Sequence, residues 1–122
     1  MTSAARPLPH WLTVSTGPAP AVLDGRACRT RAAFFEEVAR ALRLPGHFGR
    51  NWDALTDSLR DTGPVALVVA HAEDLLGEEP PEQLATLLDV LAVAAGAGLT
   101  VTLCTDPAHE AHLRERAAAN LP

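Results

Sequence analysis

Lysine is missing from this chain of 122 residues, and its ten basic residues are all arginine. With abundant alanine, this reads as the codon usage of a GC-rich genome and carries no function. Cysteine is scarce. Cys28 and Cys104 stand far apart, make no disulfide framework, and read as reduced, buried small hydrophobes. No stretch approaches the roughly 20 apolar residues of a membrane span, and the opening MTSAARPLPHWL lacks the apolar run of a signal peptide. A cytoplasmic protein with no membrane partner is the expectation. Of the few aromatics, Trp11, Trp52, Phe34 and Phe35 read as core and Phe48 is left open. They are too scattered for a base-stacking platform. A Ser or Cys elbow and a phosphate loop are also lacking, and GAG at 96–98 reads as a helix stop rather than a nucleotide fingerprint. No enzyme, catalytic residue or cofactor is expected.

The residues present are 48% hydrophobic and 20% charged, which suits one globular domain with a real core. The net charge of −5 hides a polarity. Residues 1–50 carry seven Arg against three acids, whereas residues 51–90 carry nine acids against Arg60 alone. An acidic surface has the wrong sign for nucleic acid. It suits a basic protein partner and faster, electrostatically steered encounter.

Pro7, Pro9, Pro18 and Pro20 predict an irregular arm over residues 1–19, with one short strand near HWLTV. AVLDG (21–25) reads as a buried strand and turn. Thr30 is a plausible N-cap for a helix over about 31–43, with Phe34, Phe35, Val38, Ala41 and Leu42 at helical spacing and Leu44-Pro45-Gly46 as its stop. A second helix over about 51–61 presents Trp52, Leu55 and Leu59 to the core and ends at Gly63-Pro64. VALVVA (65–70) is a nearly continuous apolar run, which predicts a central strand covered on both faces. A short helical turn around 73–76 and a long helix over about 81–96, with Leu84, Leu87, Leu88 and Leu91 inward, follow. LTVTLC (99–104) alternates like a strand. Asp106-Pro107 reads as the cap and first position of an Ala-rich last helix over about 107–119, prone to fray. The order predicts an α/β fold: a small parallel sheet of about three strands with right-handed helical crossovers.

On the second helix Asp53, Asp57 and Asp61 recur every four residues, flanked by Asn51, Thr56 and Arg60. Like charges at that spacing repel, and Asp61 lies near the end where the helix dipole disfavours an acid. An ordinary solvated face would explain the stripe. Yet Arg60 is its one nearby base, at i+3 from Asp57, and exposed pairs are worth little. A partner that supplies the positive charge explains the arrangement better. Three carboxylates spread over two turns do not converge on one hard cation. His109-x-x-His112 with Cys104 lacks a second ligand pair for zinc, and His10 and His71 stand alone. No metal site is expected.

Residues 44–61, LPGHFGRNWDALTDSLRD, resemble the signature of the barstar family of ribonuclease inhibitors, with Gly49, Asn51, Trp52, Asp53, Ala54, Leu55, Asp57 and Leu59 in register. A weaker likeness extends over about 20–104, leaving an arm (1–19) and a C-terminal helical extension (106–122) on either side of a 20–105 domain. The resemblance implies a three-stranded parallel sheet flanked by about four helices. It implies a monomeric cytoplasmic immunity protein that plugs, one to one, the basic active site of a small secreted guanyl-specific ribonuclease. Asp57 would replace a substrate phosphate, Asp53 would add charge, and Asn51 and the Gly49 backbone would hold the loop. His47, Thr56, Arg60 and Asp61 complete the candidate set. This sequence departs from the family pattern at three places. His47 stands for the first loop aromatic, Thr56 for an aromatic of the type member, and Val93 for an acidic contact residue near the end of the long helix. A module of the same fold that docks a different basic protein, such as another nuclease toxin, is the alternative reading. A metal-dependent hydrolase using the aspartate stripe is a more distant one.

Overall fold

The structure is a computed structural model that describes residues 7–122; the first six residues of the expected arm lie outside the described residues. Four short segments pair as a parallel sheet: β1 (Leu12–Ser15), β2 (Leu23–Asp24), β3 (Ala66–Ala70) and β4 (Thr100–Cys104). Their spatial order is β1-β4-β3-β2. Leu12, Val101 and Leu67 form one row across the sheet, and Val14, Leu103, Val69 and Leu23 form another. Every residue of both rows is buried. The row between them, Thr13, Thr102 and Val68, is exposed or half-buried. One face of the sheet is therefore covered and the other is open.

Three expectations change. The sheet has four strands rather than three, because the HWLTV segment of the arm adds β1 at the edge beside β4. β3 is not covered on both faces. Ala66, Val68 and Ala70 lie on the open side, and because they are small and apolar the strand's alternation is invisible in sequence. Cys104 shares that open side and is half-buried, whereas Cys28 is fully buried; both are free thiols. Burial, with Glu37 nearby, pushes the Cys28 thiol up to about 12, which makes it a packing residue rather than a nucleophile.

The helices follow local rules. α1 (Arg31–Ala41) is capped by Thr30, whose hydroxyl accepts from the Ala33 N–H at 3.2 Å. It ends earlier than its stop signal, because Arg43 turns left-handed and the Leu44 N–H returns to the Ala39 carbonyl at 2.9 Å. α2 (Trp52–Thr62) ends at Gly63, whose φ of 78° favours glycine. α3 (Pro81–Ala95) starts on a proline at its first position and buries Leu84, Leu87, Leu88 and Leu91. α4 runs Glu110–Asn120, not from Pro107. Asp106 caps a turn instead, its carboxylate accepting from the His109 N–H at 3.0 Å. Leu113 and Ala117 of α4 join the core and Ala118 is buried too, so its last turns dock rather than fray.

Phe34, Phe35, Phe48 and Trp52, scattered in sequence, gather into one cluster with ring centroids 4.8–6.2 Å apart. Phe48 is buried, while Trp52 is partly exposed and donates its indole N–H to Gln83 at 3.3 Å. This is core rather than a stacking platform, and edge-to-face pairs of this kind add about 0.5–1.5 kcal/mol each beyond area burial. It joins α1, α2 and the loop between them, and that joint positions the site.

Candidate functional site

The loop between α1 and α2 is held at several points. Buried Phe48 anchors it from below, and the Phe48 N–H closes a turn on the Pro45 carbonyl at 2.9 Å. Arg50 adopts a left-handed φ of 49°. Its guanidinium bonds Glu36 of α1 at 2.6 Å and the Phe48 carbonyl at 2.8 Å, and lies over the Phe48 ring. That guanidinium holds the Glu36 carboxyl below the usual carboxylate range. Arg50 is thus spent on α1 and on the loop.

Asn51 finishes the loop and starts α2. Its side-chain oxygen accepts from the Ala54 N–H at 2.8 Å, and its amide donates to the Gly49 carbonyl at 3.1 Å. A Cβ on Gly49 would meet the Asn51 amide at 3.0 Å, so the close approach favours glycine. One residue therefore ties the cap of the helix to the shape of the loop. Leu55 and Leu59 are buried, which turns the other side of α2 outward.

Asp53, Asp57 and Asp61 all point to solvent. Among the described residues none of the three has an ion pair or a side-chain hydrogen bond. Arg60, also exposed, does not close on Asp57. Asp53, in the first turn, is favoured by the helix dipole, and Asp61, in the last, is disfavoured. Thr56 spends its hydroxyl on the Trp52 carbonyl at 2.9 Å. Beside the stripe lies an open hollow of about 520 Å3, lined by His47, Phe48, Gly49, Asp57 and Asp61 among others. The hollow thus joins loop and helix residues of the candidate set, while Asn51, Asp53, Thr56 and Arg60 are not in its lining.

The family model described as Barstar (barnase inhibitor) matches residues 19–107. The chain belongs to the barstar family. That family is one of nuclease inhibitors and not of enzymes, and its partner is a ribonuclease protein. The match takes in the loop, α2 and strands β2, β3 and β4, and leaves β1 and α4 outside. Among curated proteins none matches the chain. No helix among the described residues is long and apolar enough to cross a membrane.

Two features of this barstar-family chain escape sequence reading. The Arg50–Glu36 clamp joins residues fourteen apart and depends on a left-handed backbone that nothing in the local sequence announces. A group of metal-type ligands forms where none was expected. Among the described residues Glu73, Asp106 and His109 bring ligand atoms within 4.8 Å of one another, while the aspartate stripe forms no such group. His71, far from standing alone, faces Glu73 at 3.9 Å.

Proposed function

We propose that this chain is an inhibitor of a small basic secreted ribonuclease of the guanyl-specific kind, acting one to one through α2 and the loop before it. Asp57 takes the place of a substrate phosphate against the nuclease's cations, with Asp53 beside it. Asn51 and Gly49 hold the loop, and His47, Thr56, Arg60 and Asp61 form the margin of the contact. The observation that carries this reading is the stripe of three exposed aspartates that form no ion pair among the described residues, on a helix beside α1, whose two acids are both paired. Three unpaired acids on eleven residues weaken an isolated helix, and a basic cleft turns that cost into attraction. In the producing cell such a protein serves as a cytoplasmic immunity factor.

The test is an RNA-cleavage assay in which a secreted guanyl-specific ribonuclease is titrated with the wild type and with Asp57→Ala. Stoichiometric inhibition by the wild type, lost in the variant while its circular dichroism is unchanged, supports the reading. No inhibition at micromolar excess of folded protein removes this target, and the His47, Thr56 and Val93 departures then direct the search to a different basic nuclease. The association rate should also fall as salt is raised, since the attraction acts across solvent with a Debye length of about 8 Å at 0.15 M.

A further inference from the structure

Parallel strands β3 and β4 lie side by side, so the segments that follow them emerge at the same end of the sheet. Glu73 comes from the turn after β3, Asp106 from the loop after β4, and His109 from the entry to α4. Glu73 is well covered, with 17% of its side chain exposed. Its Oε1 accepts from the Thr105 hydroxyl at 2.7 Å, and its Oε2 faces the His71 Nδ1 at 3.9 Å. Asp106 Oδ1 lies 2.8 Å from the His109 Nδ1. A crevice of about 280 Å3 opens on Glu73 and Asp106, and His71 and Cys104 line it with them, while His109 lies outside its lining. Crevices beyond the carboxyl ends of parallel strands are where open α/β sheets take ligands.

Charge marks this group off from the acids that pair with arginine. Asp24, Glu36, Glu37, Asp74 and Glu110 each pair with an arginine. Among the described residues Glu73 and Asp106 have imidazoles as their basic partners and no arginine. There the two carboxylates share one small volume without a permanent cation. The donors are mixed, two oxygens and a nitrogen. Imidazole favours zinc and its first-row neighbours, whereas magnesium and calcium prefer oxygen alone.

We propose that Glu73, Asp106 and His109 bind a divalent first-row transition ion of the zinc type, with its fourth position left open. The ion ties the turn after β3 to the start of α4 and so secures the C-terminal helix on the sheet. Its residues are separate from those of the acidic face on α2.

Calorimetric titration of zinc chloride into the chelator-treated full chain tests this, with thermal melts run alongside. One zinc per chain is expected, together with a melting temperature that rises with zinc. His109→Ala and Glu73→Gln should each weaken zinc at least about tenfold and abolish that rise; Glu73→Gln keeps an acceptor for Thr105, so it preserves the fold. His112→Ala, one turn further along α4, should bind as the wild type does. Absence of zinc binding at millimolar concentration overturns the proposal, and so does binding that survives both first variants. Loss on His112→Ala alone moves the ion to the helix surface and also overturns it. Equal affinity for magnesium that ignores His109→Ala reduces the group to a plain acidic cluster and overturns it as well.

Discussion

Helices α1 and α2 are each eleven residues long and meet in the same aromatic cluster, yet they treat their acids oppositely. On α1, Glu37 pairs with Arg40 at 2.7 Å and Glu36 with Arg50 at 2.6 Å. On α2, Asp53, Asp57 and Asp61 face solvent with no ion-pair partner among the described residues. Arg50, in the loop before α2, is turned toward α1 instead, and Arg43 lines the hollow with Asp57 and Asp61 without an ion pair to either. The buried sides of the two helices make one core, and their outer sides have separate tasks. α1 closes its own charges, and α2 leaves its charges exposed.

Cutting into the shared core should affect both helices together and give the largest change. Phe35 contacts Phe34, Phe48 and Trp52, so Phe35→Ala should cost about 3–5 kcal/mol in urea denaturation. A loss under about 1 kcal/mol would mean that the two helices do not depend on a common cluster. Asp57→Ala should then separate binding from folding. Nuclease affinity should fall by about 2–5 kcal/mol, the range found when one member of a buried charge pair is truncated, the barnase–barstar interface itself among the examples. Folding stability should move by less than about 0.5 kcal/mol. Asn51→Ala should affect both at once. It removes a helix cap worth about 1 kcal/mol and frees the Gly49 carbonyl, so urea midpoint and inhibition should decline together.

The smallest effect belongs to acid pH and to α1. Arg50 and Arg40 hold the carboxyls of Glu36 and Glu37 below their usual range. A carboxyl lowered in the folded state contributes stability that is complete above its ordinary value and is lost as pH falls through the lowered one. Melting temperature followed from pH 7 down through the carboxylate range should therefore decline less in the Glu36→Gln, Glu37→Gln double variant than in the wild type. Identical profiles would show that the α1 pairs add nothing, and the contrast between the helices would then rest on binding alone.

Much of this architecture is legible in sequence because its signals are local. Thr30 and Asn51 cap the helices they precede, Trp52, Leu55 and Leu59 mark the inner side of α2, and Gly63 stops it. The aspartate stripe is equally local, so the candidate contact helix stands out before any fold is known. The misreadings come where the deciding partner is distant. Ala66, Val68 and Ala70 are apolar on an open face, so only the missing cover reveals which side they are on. The short strand near HWLTV is expected and forms as β1, but its place beside β4, near the other end of the chain, is not legible locally. Asp106-Pro107 has the composition of a helix start, but its carboxylate is used by a turn, and α4 begins three residues later. His71 gains a neighbour through a left-handed backbone, φ 49°, that its sequence does not encode in any recognisable motif.

The pairing of Leu12 with Val101 also sets an order of events during synthesis. β1 emerges from the ribosome before the rest of the sheet, and its hydrogen-bonding partner is among the last segments to follow. Contacts between such distant residues carry a large loop-closure cost and form slowly. Until β4 is free, Leu12 and Val14, both destined for the core, stay unprotected on a nascent chain, a natural target for chaperones. The strand made first is the last to be secured.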